Sequence, residues 1–291
     1  MNQQLSGSYI IISPVRNEEK YIEKTIRSVI HQTILPMEYI IVNDGSTDDT
    51  PNIIEKYTSQ YSWIQCIHKP KGEHRPGAGV IEAFYSGYQN IKNNSWEFIV
   101  KLDSDLSFEK DYFETQLRKF SENPKLGMTS GVTYQPNGKG LIIDKMPEDH
   151  VRGAAKMYRR DCFNQIGGIP KVLGWDTIDE LKAQYEGWET QSYKPLILVH
   201  YKPIGIKQTK IIKREMLAGD RQYYLGYHPL FALLKNLYRM FQKPYFIAGF
   251  LNMLGFLKAN ILRKDRIDKP LMKLLRKKQI ERLTMKRKFW Q

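Results

Sequence analysis

Short apolar runs rich in β-branched residues alternate, along the first half of this chain, with stretches whose apolar residues recur at helical spacing. Tyr9–Ser13, Glu38–Val42, Trp63–His68 and Phe98–Leu102 read as strands. Between them, Glu18–Gln32 carries Ile22, Ile26, Val29 and Ile30 on one helical face, and Gly77–Asn90 reads as a helix. Thr50 and Pro51 offer an N-cap and first helical position for a further helix reaching about Gln60. Lys110–Ser121 and Met128–Thr133 extend the alternation by a helix and a strand. Such alternation predicts an α/β fold on a mainly parallel, doubly wound sheet. Beyond Tyr134 the pattern loosens into a turn-rich loop at Gln135–Gly140, a strand at Ala154–Arg159 and a short helix at Arg160–Ile166. A loop at Gly167–Gly174, a short helix at Asp179–Tyr185 and a strand at Leu196–Tyr201 follow.

Ligands of open α/β sheets bind beyond the carboxyl ends of the strands, so the residues just after each run carry the functional information. Two of these ends are acidic: Val42–Thr50 reads VNDGSTDDT and Leu102–Asp105 reads LDSD. Asp103 and Asp105 can offer oxygen ligands to Mg²⁺ or Mn²⁺, hard cations that often keep phosphate as a co-ligand. Asp-x-Asp alone also caps ordinary turns; the strand before it and the acidic strand end upstream strengthen the metal reading. Asp44 stands where a carboxylate can accept from a ring N–H of a base, whereas Asp48–Thr50 is good turn and capping chemistry. His200 ends the run Leu196–Val199, a place for a third metal ligand, a donor to diphosphate, or a structural histidine. Arg75, within HKPKGEHRPGAG, can reach phosphate. Gly77 and Gly79 of that loop imitate a dinucleotide fingerprint, but Glu82 stands where the third glycine belongs, which rejects a Rossmann dehydrogenase. Trp175, Trp188, Tyr223, Tyr224 and Tyr227 offer ring faces for sugars, with core packing the default.

Ser13–Glu19 (SPVRNEE), VNDGSTDDT, LDSD and the segment GGIPKVLGWDTIDE within Gly167–Gly187 occur in an order and spacing that resemble the family 2 glycosyltransferases. These are inverting enzymes with the GT-A type nucleotide-diphospho-sugar transferase fold. The resemblance runs from roughly Tyr9 to Tyr201. It implies that Pro14 and Glu18 line the nucleotide pocket and that Asp44 meets the base. It further implies that Asp103 lies by ribose and metal, that Asp105 binds the metal bridging the diphosphate, and that Asp176 is the general base. The family usually carries the base in a Glu-Asp pair, and here Trp175 replaces the Glu, which leaves Asp179 and Glu180 as rival bases. The implied donor is a nucleotide-diphosphate sugar and the implied acceptor a glycan or lipid-linked hydroxyl.

The 291 residues suffice for one large domain, or for one domain with an appendage. Two cysteines, Cys66 and Cys162, without a CxxC, argue against a disulfide framework or thiolate zinc site and fit a reducing cytoplasm. No N-terminal stretch reads as a signal peptide. The character changes at Pro229, giving expected domains of 1–228 and 229–291. Leu230, Phe231, Leu233, Leu234, Leu237 and Phe241 form one apolar face, and the uncharged Tyr245–Leu257 is too short to cross a bilayer. From Arg263 to Gln291, twelve Lys or Arg against Asp265, Asp268 and Glu281 leave a local charge of +9. Amphipathic helices with basic flanks predict a peripheral anchor on anionic membrane at the cytoplasmic face. Packing within the protein or a homo-oligomer is the alternative, and nucleic acid is not the expected partner. The rival functions are a nucleotidyltransferase, which should carry a Gly-rich basic motif where SPVRNEE stands, and a catalytically silent nucleotide- or polyanion-binding protein.

Overall fold

The computed structural model describes residues 7–70, 77–138, 140–144, 146–202 and 211–284. The chain divides into two compact units after Lys202. The first holds strands β1 (Tyr9–Val15), β2 (Glu38–Asp44), β3 (Ile64–Lys69), β4 (Phe98–Leu102), β5 (Leu106–Phe108), β6 (Leu126–Pro136), β7 (Leu141–Ile143), β8 (Ala155–Arg159) and β9 (Glu189–His200). Its helices are α1 (Ile22–Ile30), α2 (Thr50–Thr58), α3 (Ala78–Tyr88), α4 (Tyr112–Glu122), α5 (Arg160–Gln165) and α6 (Trp175–Tyr185).

All nine strands join one sheet in the order β3-β2-β1-β4-β8-β6-β9-β5, with β7 beside β6. The expected parallel sheet holds for β3, β2, β1 and β4. Beyond β4 the sheet is mixed: β8 runs antiparallel to both β4 and β6, and β5 antiparallel to β9. The parallel half is apolar throughout because both its faces are covered. Tyr9, Ile11, Ile41 and Val100 pack with Ile22 and Ile26 of α1, Ile54 of α2 and Phe113 and Phe120 of α4. Ile10, Ile12, Val42 and Ile99 pack on the opposite face with Ile81 and Phe84 of α3, Phe163 of α5 and Trp175 of α6.

Several expected boundaries move. Helix α1 begins at Ile22 rather than Glu18, because residues 16–21 are occupied in a loop that binds the loop after β2. Asp49 rather than Thr50 occupies the N-cap position of α2, without a capping hydrogen bond from its side chain, and the buried Thr50 hydroxyl accepts instead from the Glu18 amide at 2.8 Å. Helix α6 starts four residues earlier than its apolar spacing suggested, after Gly174 in a left-handed conformation (φ 85°). The last strand begins at Glu189, not Leu196, since its polar first half pairs with β6.

The second unit comprises α7 (Ile211–Tyr224), α8 (Pro229–Met240), α9 (Ile247–Ile261) and α10 (Lys269–Leu283). The unit boundary therefore precedes the sequence-expected 228/229 division, and α7 packs with α9 rather than belonging to the sheet domain. The reason is a close helix crossing. A Cβ on Gly219 would lie 2.0 Å from the Asn252 carbonyl oxygen, and one on Gly255 2.2 Å from that of Met216. Helices α8 and α9 are inside-out. Their buried residues are small or polar: Ala232 and Asn236, then Ala248, Gly249, Asn252, Gly255 and Ala259. Gln222 and Asn236 exchange reciprocal hydrogen bonds inside (3.0 and 3.1 Å), and Asn252 donates to buried Glu215 at 3.2 Å. The apolar side chains face outward, including Phe241 at 72%, Phe250 at 55% and Ile261 at 77% exposure.

Candidate active site

The parallel strands all end at the same edge of the sheet. The loop after β1 turns at Asn17, whose φ of 54° is tolerated by Asn better than by most residues. That residue is held by the loop after β2: its amide donates to Ser46 Oγ (3.0 Å), and its Oδ1 accepts from the Thr47 amide (2.8 Å). Asp48 accepts from the Glu19 amide (3.2 Å) and Glu19 from the Asp49 amide (3.1 Å). Much of the polar run STDDT is thus spent in locking two loops together. Pro14 is buried at the end of β1. Asp44 ends β2 with Lys69 at 2.9 Å and Arg16 at 3.8 Å.

Asp103 and Asp105 follow β4 in a tight connection to β5. Pairing of β5 with the end of β9 sets Leu106 opposite His200, and the Tyr201 amide donates to the Asp105 carbonyl (3.0 Å). His200 Nε2 consequently lies 2.9 Å from Asp105 Oδ2. Burial works against protonation of this imidazole, but the hydrogen bond and charge of Asp105, helped by Asp103, outweigh it and raise the histidine pKa. One ligand atom each from Asp103, Asp105 and His200 lies within 4.8 Å of the others. Two carboxylate oxygens and an imidazole nitrogen at this spacing suit a divalent cation such as Mn²⁺, which accepts both oxygen and imidazole. A shared cation would replace the direct His200–Asp105 hydrogen bond.

Glu18 completes this edge. Burial raises its carboxyl pKa to about 7, an effect opposed by Lys202 and reinforced by Asp105 and Asp103. Its Oε1 accepts from Lys202 Nζ at 2.6 Å, while Oε2 is buried without a partner among the described residues. The structure thus brings Glu18, Asp103, Asp105 and His200 into one electrostatic group. Arg75 lies outside the described residues.

Asp176 lies in the first turn of α6, half-buried. Its rivals are otherwise committed. Asp179 is fully buried, with Lys156 Nζ 2.9 and 3.1 Å from its two oxygens and the Tyr158 hydroxyl donating to Oδ2. Glu180 is buried and accepts from the Val151 amide (3.2 Å), with His150 Nδ1 at 2.8 Å. The Asp176 turn is tied to the DxD strand end through Gly153 and Ala154. The Asp103 amide donates to the Ala154 carbonyl (2.7 Å) and Lys101 Nζ donates to the Gly153 carbonyl (2.9 Å). A Cβ on Gly153 would sit 2.3 Å from the Trp175 ring and 3.3 Å from Asp176 Cβ, so only glycine allows this approach.

Three cationic partners escaped the sequence reading: Lys101, Lys156 and Lys202. The first two left a signal: Lys101 is the one charge in the apolar strand run FIVKL, and Lys156 stands inside AKMYR, whose other charge, Arg159, lies at its end. Lys202 left none, since it follows the last strand among other polar residues.

Comparison with known proteins agrees with this geometry. Residues 10–167 match glycosyl transferase family 2. The EpsH protein of Bacillus subtilis, named as a glycosyltransferase, is 32% identical over 53% of this chain and 47% of its own length. The poly-beta-1,6-N-acetyl-D-glucosamine synthase of Staphylococcus epidermidis is 28% identical over 69% of this chain and 46% of its own. The chain therefore spans about half the length of these relatives. Among solved structures, the mannosyltransferase PcManGT of Pyrobaculum calidifontis, bound to GDP-Man and Mn²⁺, superposes with a TM-score of 0.58 at 16% identity over 88% of both chains. TarS of S. aureus, residues 1–349, gives 0.53 at 17% identity over 88% of this chain and 72% of its own. The fold is of the GT-A type that these glycosyltransferases share, and the chain belongs to glycosyl transferase family 2.

Proposed function

We propose that the chain is an inverting, metal-dependent glycosyltransferase. It would move a sugar from a nucleotide-diphosphate donor to an acceptor hydroxyl in polysaccharide or glycolipid assembly. The observation that carries this reading is the meeting of Asp103, Asp105 and His200 at the carboxyl edge of the sheet, beside Glu18, in a family 2 framework. Pro14, Glu18 and Asp44 would bound the nucleotide, with Asp44 facing the base and Arg75 reaching the phosphates. Asp103, Asp105 and His200 would hold Mg²⁺ or Mn²⁺, which when bound offsets the charge growing on the leaving diphosphate. UDP-GlcNAc and GDP-Man, bound by TarS and PcManGT respectively, are the first donors to test.

Asp176 would remove the acceptor hydroxyl proton as the oxygen attacks the anomeric carbon from the face opposite the diphosphate. The new bond joins acceptor oxygen to that carbon, the bond to the diphosphate oxygen breaks, and its electron pair leaves with the diphosphate. The engagement of Asp179 and Glu180 in buried contacts supports Asp176 over both.

The second unit would hold the enzyme on anionic membrane at the cytoplasmic face. Among the described residues no helix is long and apolar enough to cross a membrane. The outward apolar faces of α8 and α9 carry exposed Lys235, Lys243 and Lys258 on or between the same helices, and Lys269, Lys273 and Lys277 line α10. An apolar surface with cationic flanks is complementary to an anionic lipid interface, at about 1 kcal/mol per Lys or Arg close to the surface.

These assignments make three predictions. In a panel assay with UDP-GlcNAc, GDP-mannose and related donors, Asp105→Asn should abolish most product formation and weaken Mn²⁺-dependent nucleoside diphosphate binding. Unchanged turnover and metal dependence would remove the metal assignment. Asp176→Asn should leave donor binding nearly intact and lower turnover roughly 10²-fold or more; equal turnover would move the base elsewhere. Charge reversal at Lys243, Lys258, Lys269, Lys273 and Lys277 should reduce binding to anionic vesicles to the level seen with neutral ones. Equal binding before and after reversal would refute the electrostatic anchor.

A further inference from the structure

Two lysines are buried side by side beneath the candidate active site. Lys101 of β4 and Lys156 of β8 are directly opposite in the antiparallel register, with 2% and 0% of their surface exposed. Like charges facing each other across strands repel, and burying either is costly without partners. Each has acceptors. Lys101 donates to Asp103 and to the Gly153 carbonyl; Lys156 donates to Asp179 and to the Asp176 carbonyl at 2.9 Å. The space between them is covered by the indole of Trp175, whose ring centroid lies 5.2 Å from Lys101 Nζ and 5.5 Å from Lys156 Nζ. An aromatic face attracts a cation in this range, and more strongly where water is excluded.

The arrangement joins two ends of the site that the backbone does not connect directly. One ammonium grips the first carboxylate of LDSD, the other grips the backbone of Asp176, and the indole bridging them is the residue immediately before Asp176. Trp175 also fills the position of the acidic residue usual in the family, where a second carboxylate would give two buried cations a charged partner. Here a neutral ring supplies the attraction without adding negative charge beside Asp176.

We propose that Trp175, held between Lys101 and Lys156, is a positioning residue that sets Asp176 against the donor-side carboxylate Asp103. The inference rests on Asp176 being the general base, as argued above. A displacement of about 1 Å at a reacting group is enough to cost around a hundredfold in rate, so the ring acts on turnover through Asp176 without touching substrate.

The test is a double-mutant cycle on the full chain, using the donor selected by the nucleotide-sugar panel. Trp175→Leu should lower kcat roughly tenfold to a hundredfold while the donor KM changes less than about threefold. Trp175→Phe, which keeps a ring face over both ammoniums, should recover most of that loss. Trp175→Leu combined with Asp176→Asn should be no slower than Asp176→Asn alone. Thermal melting and Mn²⁺-dependent binding of the donor's nucleoside diphosphate check that each variant is folded. If Trp175→Leu does not yield folded protein, the Trp175→Phe cycle decides, since its smaller loss must likewise vanish in the Asp176→Asn background. Full turnover in folded Trp175→Leu, or losses that multiply with Asp176→Asn, would overturn the proposal while leaving the base assignment standing. Undiminished turnover in Asp176→Asn, or a panel with no donor turned over, would overturn the underlying reading and this proposal together.

Discussion

Negative charge gathered at one poorly solvated edge of the sheet must be matched, and much of the site follows from how it is matched. Burying a carboxylate unpaired is costly enough that it protonates instead, and Glu18 with a pKa near 7 is already close to that limit. Glu18 keeps Lys202 on one oxygen, and the other buried or strand-end carboxylates are paired too: Asp44 has Lys69 and Arg16, Asp103 has Lys101, Asp105 has His200, and Asp179 has Lys156. The partners differ in one functional respect. Lys156 is sealed in with Asp179 and cannot be exchanged, whereas the groups of Asp103, Asp105 and His200 converge within the reach of a single cation. The first arrangement is scaffold; the second has the spacing to hold a cation.

The same distinction explains why neighbouring acidic residues on α6 have different fates. One helical turn carries Asp176, Asp179 and Glu180, and the helix phase decides which is usable. Asp179 and Glu180 point into contacts with β8 and with residues 150–151, while Asp176, in the first turn, is only half-buried, beside Gly153. Acidic residues near a helix N-terminus are also favoured by the helix dipole, which suits the base role proposed for Asp176.

The parallel half of the sheet was legible because its strands are covered on both faces and are therefore continuously apolar. Phe98–Leu102 appears with the very limits its composition suggested. The strands β5 and β7, three residues each, are too short to show periodicity. The polar start of β9, ETQSYK, is stabilised by its neighbour β6 rather than by burial of apolar side chains. Asp103, Asp105 and His200 were readable as candidates because each lies at a strand end. That His200 belongs with Asp105 depended on β5–β9 pairing between residues nearly a hundred positions apart, which no local pattern encodes. Helices α8 and α9 were legible as amphipathic, but which face points inward was not. Small residues and an Asn–Gln–Glu network fill the interior, leaving the larger apolar groups outside.

The central claim is that the strand-end cluster is a divalent-cation site serving a nucleotide donor. Its most direct measurement is anomalous diffraction from crystals soaked with Mn²⁺ and either UDP or GDP. The account predicts one strong anomalous peak within coordination distance of Asp103, Asp105 and His200, with the diphosphate on its open side. A nucleotide bound at this edge with no metal peak there, or a peak at other residues, would contradict it.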